Sequence, residues 1–281
     1  MFRPRRSPRV RGFSINQLIP NLLTLCALCA GLTAIRFGLH QRWEMAVGSI
    51  LLAAVFDGLD GRVARLLHST SKFGAELDSL SDFVSFGVAP AMLLYLWTMQ
   101  SAGGPGWALV VLFAICSGLR LARFNTMLGQ PDLPAYAYNF FTGVPAPAAA
   151  GIVLMPMMGS FQSDWEFFAR PWFVGVILVL VSLLMVSKIP TFSGKKMRIP
   201  AAYVLPMMLL VGVFGAFLVS APWSTLSAIA SLYVLSIPLS VQRFRQLRRR
   251  AEELRQTSHP DITPGAKDNT ESMQGLPCAE Q

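Results

Sequence analysis

Apolar residues run along this chain in long blocks, broken by short segments rich in charge, glycine or proline. A helix that crosses a bilayer needs about 20 mostly apolar residues, so each long block predicts one span. Eight blocks qualify, over 15–35, 45–66, 77–98, 106–126, 140–159, 171–188, 200–219 and 222–241. The breaks fall at Gly38 to Glu44, Ser101 to Gly106, Pro131 to Pro134, Lys188 to Arg198, and Pro222. The fifth block contains Pro145, Pro147 and Pro156, which predicts a kink, because proline lacks a backbone donor and clashes with the preceding turn. The pattern predicts an all-α fold, a polytopic transmembrane helical bundle of about eight spans. Beyond Thr257 the chain is polar with Pro and Gly and reads as a disordered end.

Composition agrees with a bilayer as solvent. Hydrophobic residues make up 53% and charged residues 14% of the 281, where soluble domains carry about 25% charged. The mean hydropathy is +0.48. Of the cysteines Cys26, Cys29, Cys116 and Cys278, three lie in apolar blocks, which argues against a disulfide framework. Cys26 and Cys29 form a C-x-x-C with no second pair, and read as small packing residues of a helix. The Arg-rich segment Met1 to Arg11 before an apolar block could open a signal peptide, but the block runs on past Ala30 and others follow. It reads as a retained first span.

Charge sets the orientation. Cytoplasmic loops are enriched in Lys and Arg. With the N-terminus inside and eight alternating spans, 21 of the 24 basic residues fall on the inside; Arg36, Arg42 and Arg170 are the exceptions. Both termini are therefore expected in the cytoplasm. The stretch Arg243 to Arg255 continues the last helix into anionic headgroups. The topology accounts for the net charge of +9, so nucleic acid is not expected as a partner.

Four carboxylates stand inside the apolar blocks: Asp57, Asp60, Asp78 and Asp82. Each costs roughly 2.5–3.5 kcal/mol to place mid-bilayer on insertion scales, so something must neutralise them. Asp57 and Asp60 are three apart and Asp78 and Asp82 four apart, which puts each pair on one helix face. The short link from Leu66 to Glu76 folds the two helices into a hairpin, so both pairs converge in one pocket open to the cytoplasm. An all-oxygen site without His or Cys suits Mg²⁺ or Mn²⁺, and two divalent ions balance four charges. Paired ions serve displacement at phosphorus. Intramembrane acids also line cation and proton pathways, and the spacing alone leaves both readings open.

The residues between the acids narrow the choice. Asp57-Gly58-Leu59-Asp60-Gly61-Arg62-Val63-Ala64-Arg65, then eight residues, then Gly74, Asp78 and Asp82, read D-x-x-D-G-x-x-A-R-x8-G-x3-D-x3-D without a departure. This resembles the signature of the CDP-alcohol phosphatidyltransferases. Independently of that likeness, Gly61 and Gly74 suit close approach by a ligand, Arg65 offers a planar fork for phosphate, and Ala64 keeps the helix surface low.

The resemblance implies transfer of a phosphatidyl group from a CDP-linked lipid to an alcohol, with CMP leaving. It implies metal binding by Asp57, Asp60, Asp78 and Asp82, with Asp82 also the general base. It implies contacts to the CDP moiety from Gly61, Arg65 and Ser71. Pro20-Asn21-Leu22-Leu23-Thr24 resembles the family's N-x-x-T element and implies Asn21 and Thr24 near the nucleotide phosphates. It also implies a homodimer in the bacterial inner (cell) membrane.

Four stretches bear on the acceptor. Phe83 to Ala91, Leu119-Arg120-Leu121-Ala122-Arg123-Phe124-Asn125, Gly143 to Ala148, and Met185-Val186-Ser187-Lys188 are together similar to the integral-membrane phosphatidylserine synthases of the family. That likeness implies CDP-diacylglycerol and L-serine as substrates. Phe83 stands where members using phosphorylated alcohols carry Lys or Arg. Arg120 and Arg123, three apart on one helix, are candidates for the acceptor carboxylate or the lipid phosphate, or simply a basic helix end. The likeness covers roughly 14–200. The expected divisions are therefore a basic segment 1–14, a catalytic membrane domain 15–200, two added helices over 201–242, and a cytoplasmic tail 243–281.

Overall fold

Helices account for nearly every secondary-structure element in the computed structural model, which describes residues 15–69, 71–128, 140–162, 167–187, 190–192 and 204–237. In chain order they are α1 (Ile15–Leu39), α2 (Trp43–Leu66), α3 (Lys72–Asp82), a π-helical segment (Phe83–Val88) and α4 (Ala89–Trp97). A 3₁₀ turn (Met99–Ala102), α5 (Gly103–Leu128), α6 (Ala146–Ser160), α7 (Pro171–Val186) and α8 (Val204–Ser220) follow. The last is α9 (Pro222–Ile237). Each of the eight predicted blocks therefore yields a helix, with α3, the π segment and α4 forming one continuous rod.

The all-α expectation holds, with one short antiparallel ribbon added to it, β1 (Phe140–Thr142) with β2 (Pro190–Phe192), in which Phe141 pairs with Thr191; two block boundaries need correction. The fifth block consequently starts its helix at Ala146, not at 140. Pro145 is the N-cap and Pro147 lies in the first turn, where a missing N–H is harmless, so only Pro156 stands inside α6. The third block starts earlier than its hydropathy suggests. Ser71 caps α3 by accepting from the Gly74 N–H at 3.0 Å, so the helix begins at Lys72.

Among the described residues, three helices are long and apolar enough to cross a membrane: Leu18–Leu39, Lys72–Trp97 and Met99–Thr126. α6, α7, α8 and α9 are apolar but shorter. α2 has the length, but its second half holds Asp57, Asp60, Arg62 and Arg65. Large apolar side chains face outward over the bundle, among them Leu22, Leu80, Leu183 and Phe217. An apolar exterior over an apolar core fits an integral membrane protein.

The core is built from α4, α5, α6 and α7, where Leu93, Leu94, Phe113, Val153, Met157 and Leu178 are fully buried. α1 closes on it through small residues. A Cβ on Gly31 would stand 2.5 Å from Ser85 Oγ, and one on Gly87 would stand 2.8 Å from Ser117 Oγ, so the π segment is clamped between α1 and α5. Cross-helix hydroxyl bonds add to this: Ser81 Oγ donates to the Thr24 carbonyl at 3.1 Å and Ser85 Oγ to the Ala27 carbonyl at 3.2 Å. Close backbones and hydroxyl bonds are what hold helices together where lipid removes the hydrophobic drive. The π geometry has a local cause. In an α-helix the Pro90 ring would meet the Phe86 carbonyl; here Ala89 N–H reaches back to the Val84 carbonyl and the turn is wider. Cys26 and Cys29 are free thiols on α1, the first half-buried and the second exposed, so only Cys26 is in keeping with a packing residue.

Candidate active site

The α2–α3 hairpin brings the four aspartates together. Asp57 stands nine residues before the end of α2 and Asp82 ten residues after the start of α3. At 1.5 Å per residue both lie roughly 14–15 Å from the turn, and so at the same level. Carboxyl oxygens of Asp57, Asp60 and Asp78 lie within 4.8 Å of one another. The Asp57 and Asp82 carboxyl groups are in hydrogen-bonding contact, so the fourth joins the same cluster.

Such a cluster cannot be fully ionised alone. Two carboxylates about 5 Å apart repel by roughly 3 kcal/mol at an effective dielectric of 20. Arg120 supplies one opposing charge: its half-buried guanidinium interacts electrostatically with Asp82. One cation against four carboxyl groups leaves a deficit. Four oxygen donors from two rigid helices fit hard divalent cations, and the contact between Asp57 and Asp82 is one that a shared cation relieves.

Beside the cluster lies a cavity of about 190 Å³ that reaches from Asp60 and Asp78 to the α2–α3 turn. Asn21, Thr24, Gly61 and Ser71 line it, together with Ala64 and Gly74. Thr24 is 4% and Asp60 5% exposed, and Thr24 Oγ1 donates to Asp60 Oδ2 at 2.6 Å. That bond fixes the carboxylate and ties α1 to α2. The glycines differ. A Cβ on Gly61 would meet nothing within 4 Å, so its bareness leaves room in the cavity. A Cβ on Gly74 would stand 2.8 Å from Asn21 Oδ1 and 3.1 Å from Ser71 Oγ, so its close neighbours are protein groups.

Arg65 is not brought into this cavity. It is exposed and lines a separate groove with Arg62 and His68 at the end of α2. Arg120 and Arg123 also part company. Arg120 interacts electrostatically with Asp82, whereas Arg123 Nη1 donates to the Val186 carbonyl at 3.2 Å and so closes the C-terminus of α7. Sequence reasoning missed the hydroxyls that build the site from behind: Ser81, Ser85, and Ser79, which accepts from Asn125 Nδ2 at 2.9 Å. It also missed Ser69, on the cavity wall. Serines in a helix carry no periodic signal that sets these apart.

Comparison with known proteins identifies the family. The profile of the family described as CDP-alcohol phosphatidyltransferase matches residues 17–184. A second, CDP-alcohol phosphatidyltransferase 2, matches 202–238, so the last two helices carry a family signal that the sequence reading did not find. A CDP-diacylglycerol–serine O-phosphatidyltransferase of Mycobacterium leprae is 40% identical over 242 residues, covering 85% of this chain and 80% of its own. Proteins of the same name from Helicobacter pylori and Bacillus subtilis are 36% identical over 221 residues and 35% over 178. They cover 78% and 63% of this chain and 88% and 92% of their own lengths. With its first family match running through seven helices and relatives at 35–40% identity, the chain belongs to the CDP-alcohol phosphatidyltransferase family.

Proposed function

We propose that the chain is a CDP-diacylglycerol–serine O-phosphatidyltransferase: it transfers the phosphatidyl group of CDP-diacylglycerol to the hydroxyl of L-serine and releases CMP. The observation that carries this is the convergence of four carboxyl groups beside one cavity, in a chain whose relatives at 35–40% identity bear that name.

Asp57, Asp60, Asp78 and Asp82 would hold two Mg²⁺ or Mn²⁺ ions. When bound, the ions neutralise the diphosphate and stabilise the entering and leaving oxygens. Asn21, Thr24, Gly61 and Ser71 receive the CDP moiety in the cavity, whereas Arg65, on its separate groove, is left without a contact to the diphosphate. Asp82 accepts the proton of the serine hydroxyl. That oxygen forms a bond to the phosphorus nearest the diacylglycerol, the bond from that phosphorus to the CMP oxygen breaks, and CMP leaves with the electron pair. Arg120, beside Asp82, offers a two-pronged contact to the serine carboxylate. Serine has a net charge near zero, and the stretch after Asp82 is Phe83, Val84, Ser85 and Phe86, without the cations that a phosphorylated acceptor would call for. Arg123, committed to α7, is assigned a structural role.

The 21 basic residues on one side support eight spans with both termini and the active site at the cytoplasmic face of the cell membrane. The catalytic domain runs over 15–200, followed by two further helices and the tail, and the working unit is a homodimer. The deciding experiment measures CMP release from CDP-diacylglycerol with Mg²⁺ or Mn²⁺ across a panel of serine, glycerol phosphate, inositol phosphate and choline. Serine alone should support release. Turnover with glycerol phosphate and none with serine would overturn the acceptor.

A further inference from the structure

Ser69 follows the last turn of α2, and the way that helix ends determines where its side chain goes. Ser69 N–H donates to the Ala64 carbonyl at 3.0 Å and His68 N–H to the Arg65 carbonyl at 3.3 Å. His68 has φ 49. These are the paired bonds and the left-handed residue of a Schellman ending, with His68 where glycine is usual. The backbone of Ser69 is thereby anchored just past the helix, on the wall of the cavity.

Its hydroxyl is left unengaged. Ser49, Ser79 and Ser182 donate their hydroxyls to the carbonyl four residues back, at 2.8, 2.9 and 2.6 Å. Ser69, past the helix end, does not. It is 9% exposed, and its Oγ is buried without a hydrogen-bond partner among the described residues. A buried hydroxyl without a partner costs stability, and persists where a ligand completes it. Ser71 differs, since its Oγ already accepts from Gly74 N–H.

The cavity's layout indicates which part of a ligand arrives there. Asp60 and Asp78 each lie six residues from the turn-side end of their helices, so roughly 9 Å deeper than the turn that carries Ser69. Resting on the function proposed above, the diphosphate belongs at the carboxylate level, with its cations. The diacylglycerol runs into the bilayer. The nucleoside is the part left to extend toward the turn. We infer that Ser69 is a nucleotide-recognition residue whose Oγ hydrogen-bonds an uncharged polar atom of the nucleoside, on the base edge or the ribose.

The test is product inhibition of the full-length enzyme in detergent, with CMP, UMP and 2′-deoxy-CMP as competitors of CDP-diacylglycerol, for wild type and Ser69→Ala. Removing an unpartnered hydroxyl leaves no new unsatisfied group, so the variant should match or exceed the wild-type melting temperature. Its CMP inhibition constant should rise about fivefold to tenfold, the loss of one neutral hydrogen bond, with the serine KM unchanged. A collapse of the CMP-over-UMP preference assigns the contact to the base, and a collapse of the CMP-over-deoxy-CMP preference assigns it to the ribose. Equal inhibition constants for all three nucleotides in variant and wild type would overturn the inference. If CMP fails to inhibit the wild type at all, the fault lies with the proposed function, and the two failures are told apart.

Discussion

Replacing Thr24 by Val tests the link between α1 and the acidic cluster. The change keeps the side-chain shape and removes one donor, the hydroxyl that meets Asp60 Oδ2 at 2.6 Å. Both partners are about 95% buried, so water cannot substitute. A hydrogen bond to a charged group contributes about 1.5–3 kcal/mol, and at 1.4 kcal/mol per decade its loss amounts to roughly 10-fold to 150-fold. Residues that hold a metal ligand in place give a similar figure, about 10-fold to 100-fold in metal affinity or activity. Thr24→Val should therefore lower kcat for CMP release by roughly that factor and alter the Mg²⁺ or Mn²⁺ concentration for half-maximal rate. Thr24→Ser, which keeps the donor, should stay within a few-fold of wild type. The assay is CMP release under metal titration, with a melting curve for each variant. Wild-type turnover and metal dependence in a folded Thr24→Val would refute the reasoning, because Asp60 would then need no support from α1.

Single changes Asp57→Asn, Asp60→Asn, Asp78→Asn and Asp82→Asn should each reduce turnover by at least about a hundredfold, and Asp82→Asn should retain CDP-lipid binding better than Asp57→Asn; near-normal turnover in any of them removes that residue from the mechanism. Arg120→Lys should raise the serine KM while CDP-lipid affinity stays, whereas Arg123→Lys should lower the melting temperature and leave the KM for serine alone, since its partner is the Val186 carbonyl. Reversed phenotypes would exchange the two roles. Cys278 should resist an impermeant thiol reagent in intact cells and react after lysis, and a cysteine placed at Ser163 should do the opposite; both positions lie outside the described residues, and labelling of Cys278 from outside contradicts the topology.

The acidic site was legible in the sequence because an intramembrane carboxylate is costly, and four of them at helical spacing leave few arrangements. The helices were legible for the related reason that bilayer thickness sets their length. What was not legible depends on distant partners. Phe140–Thr142 looked like the start of a span because its apolar character fits strand or helix, and only pairing with Pro190–Phe192 decides. Arg120 and Arg123 share a helix face, so nothing local distinguishes them; the nearby end of α7 captures one and the other interacts electrostatically with Asp82. The place of Arg65 in the signature predicts a phosphate ligand, yet its side chain lines a groove outside the cavity. Ser69 was invisible because its significance lies in a missing bond, which no residue pattern records.

The wide turn at Phe83–Val88 has a consequence for insertions and deletions. A π turn holds one residue more than an α-helix needs, and the helices on either side keep the faces they would have without it. In an α-helix each residue advances the face by about 100°, since 3.6 make a turn. Losing one residue between Asp78 and Asp82 would swing one carboxylate away from the other and dismantle the cluster. Losing one between Phe83 and Val88 would let the rod from Lys72 to Trp97 become a continuous α-helix, with the aspartates and the buried face of α4 still aligned. Pro90 is then the one obstacle, because its ring would return to the carbonyl four residues before it. A deletion in this segment should therefore be tolerated with Pro90→Ala and not without it, which makes the turn the place where this rod can change length and keep its site.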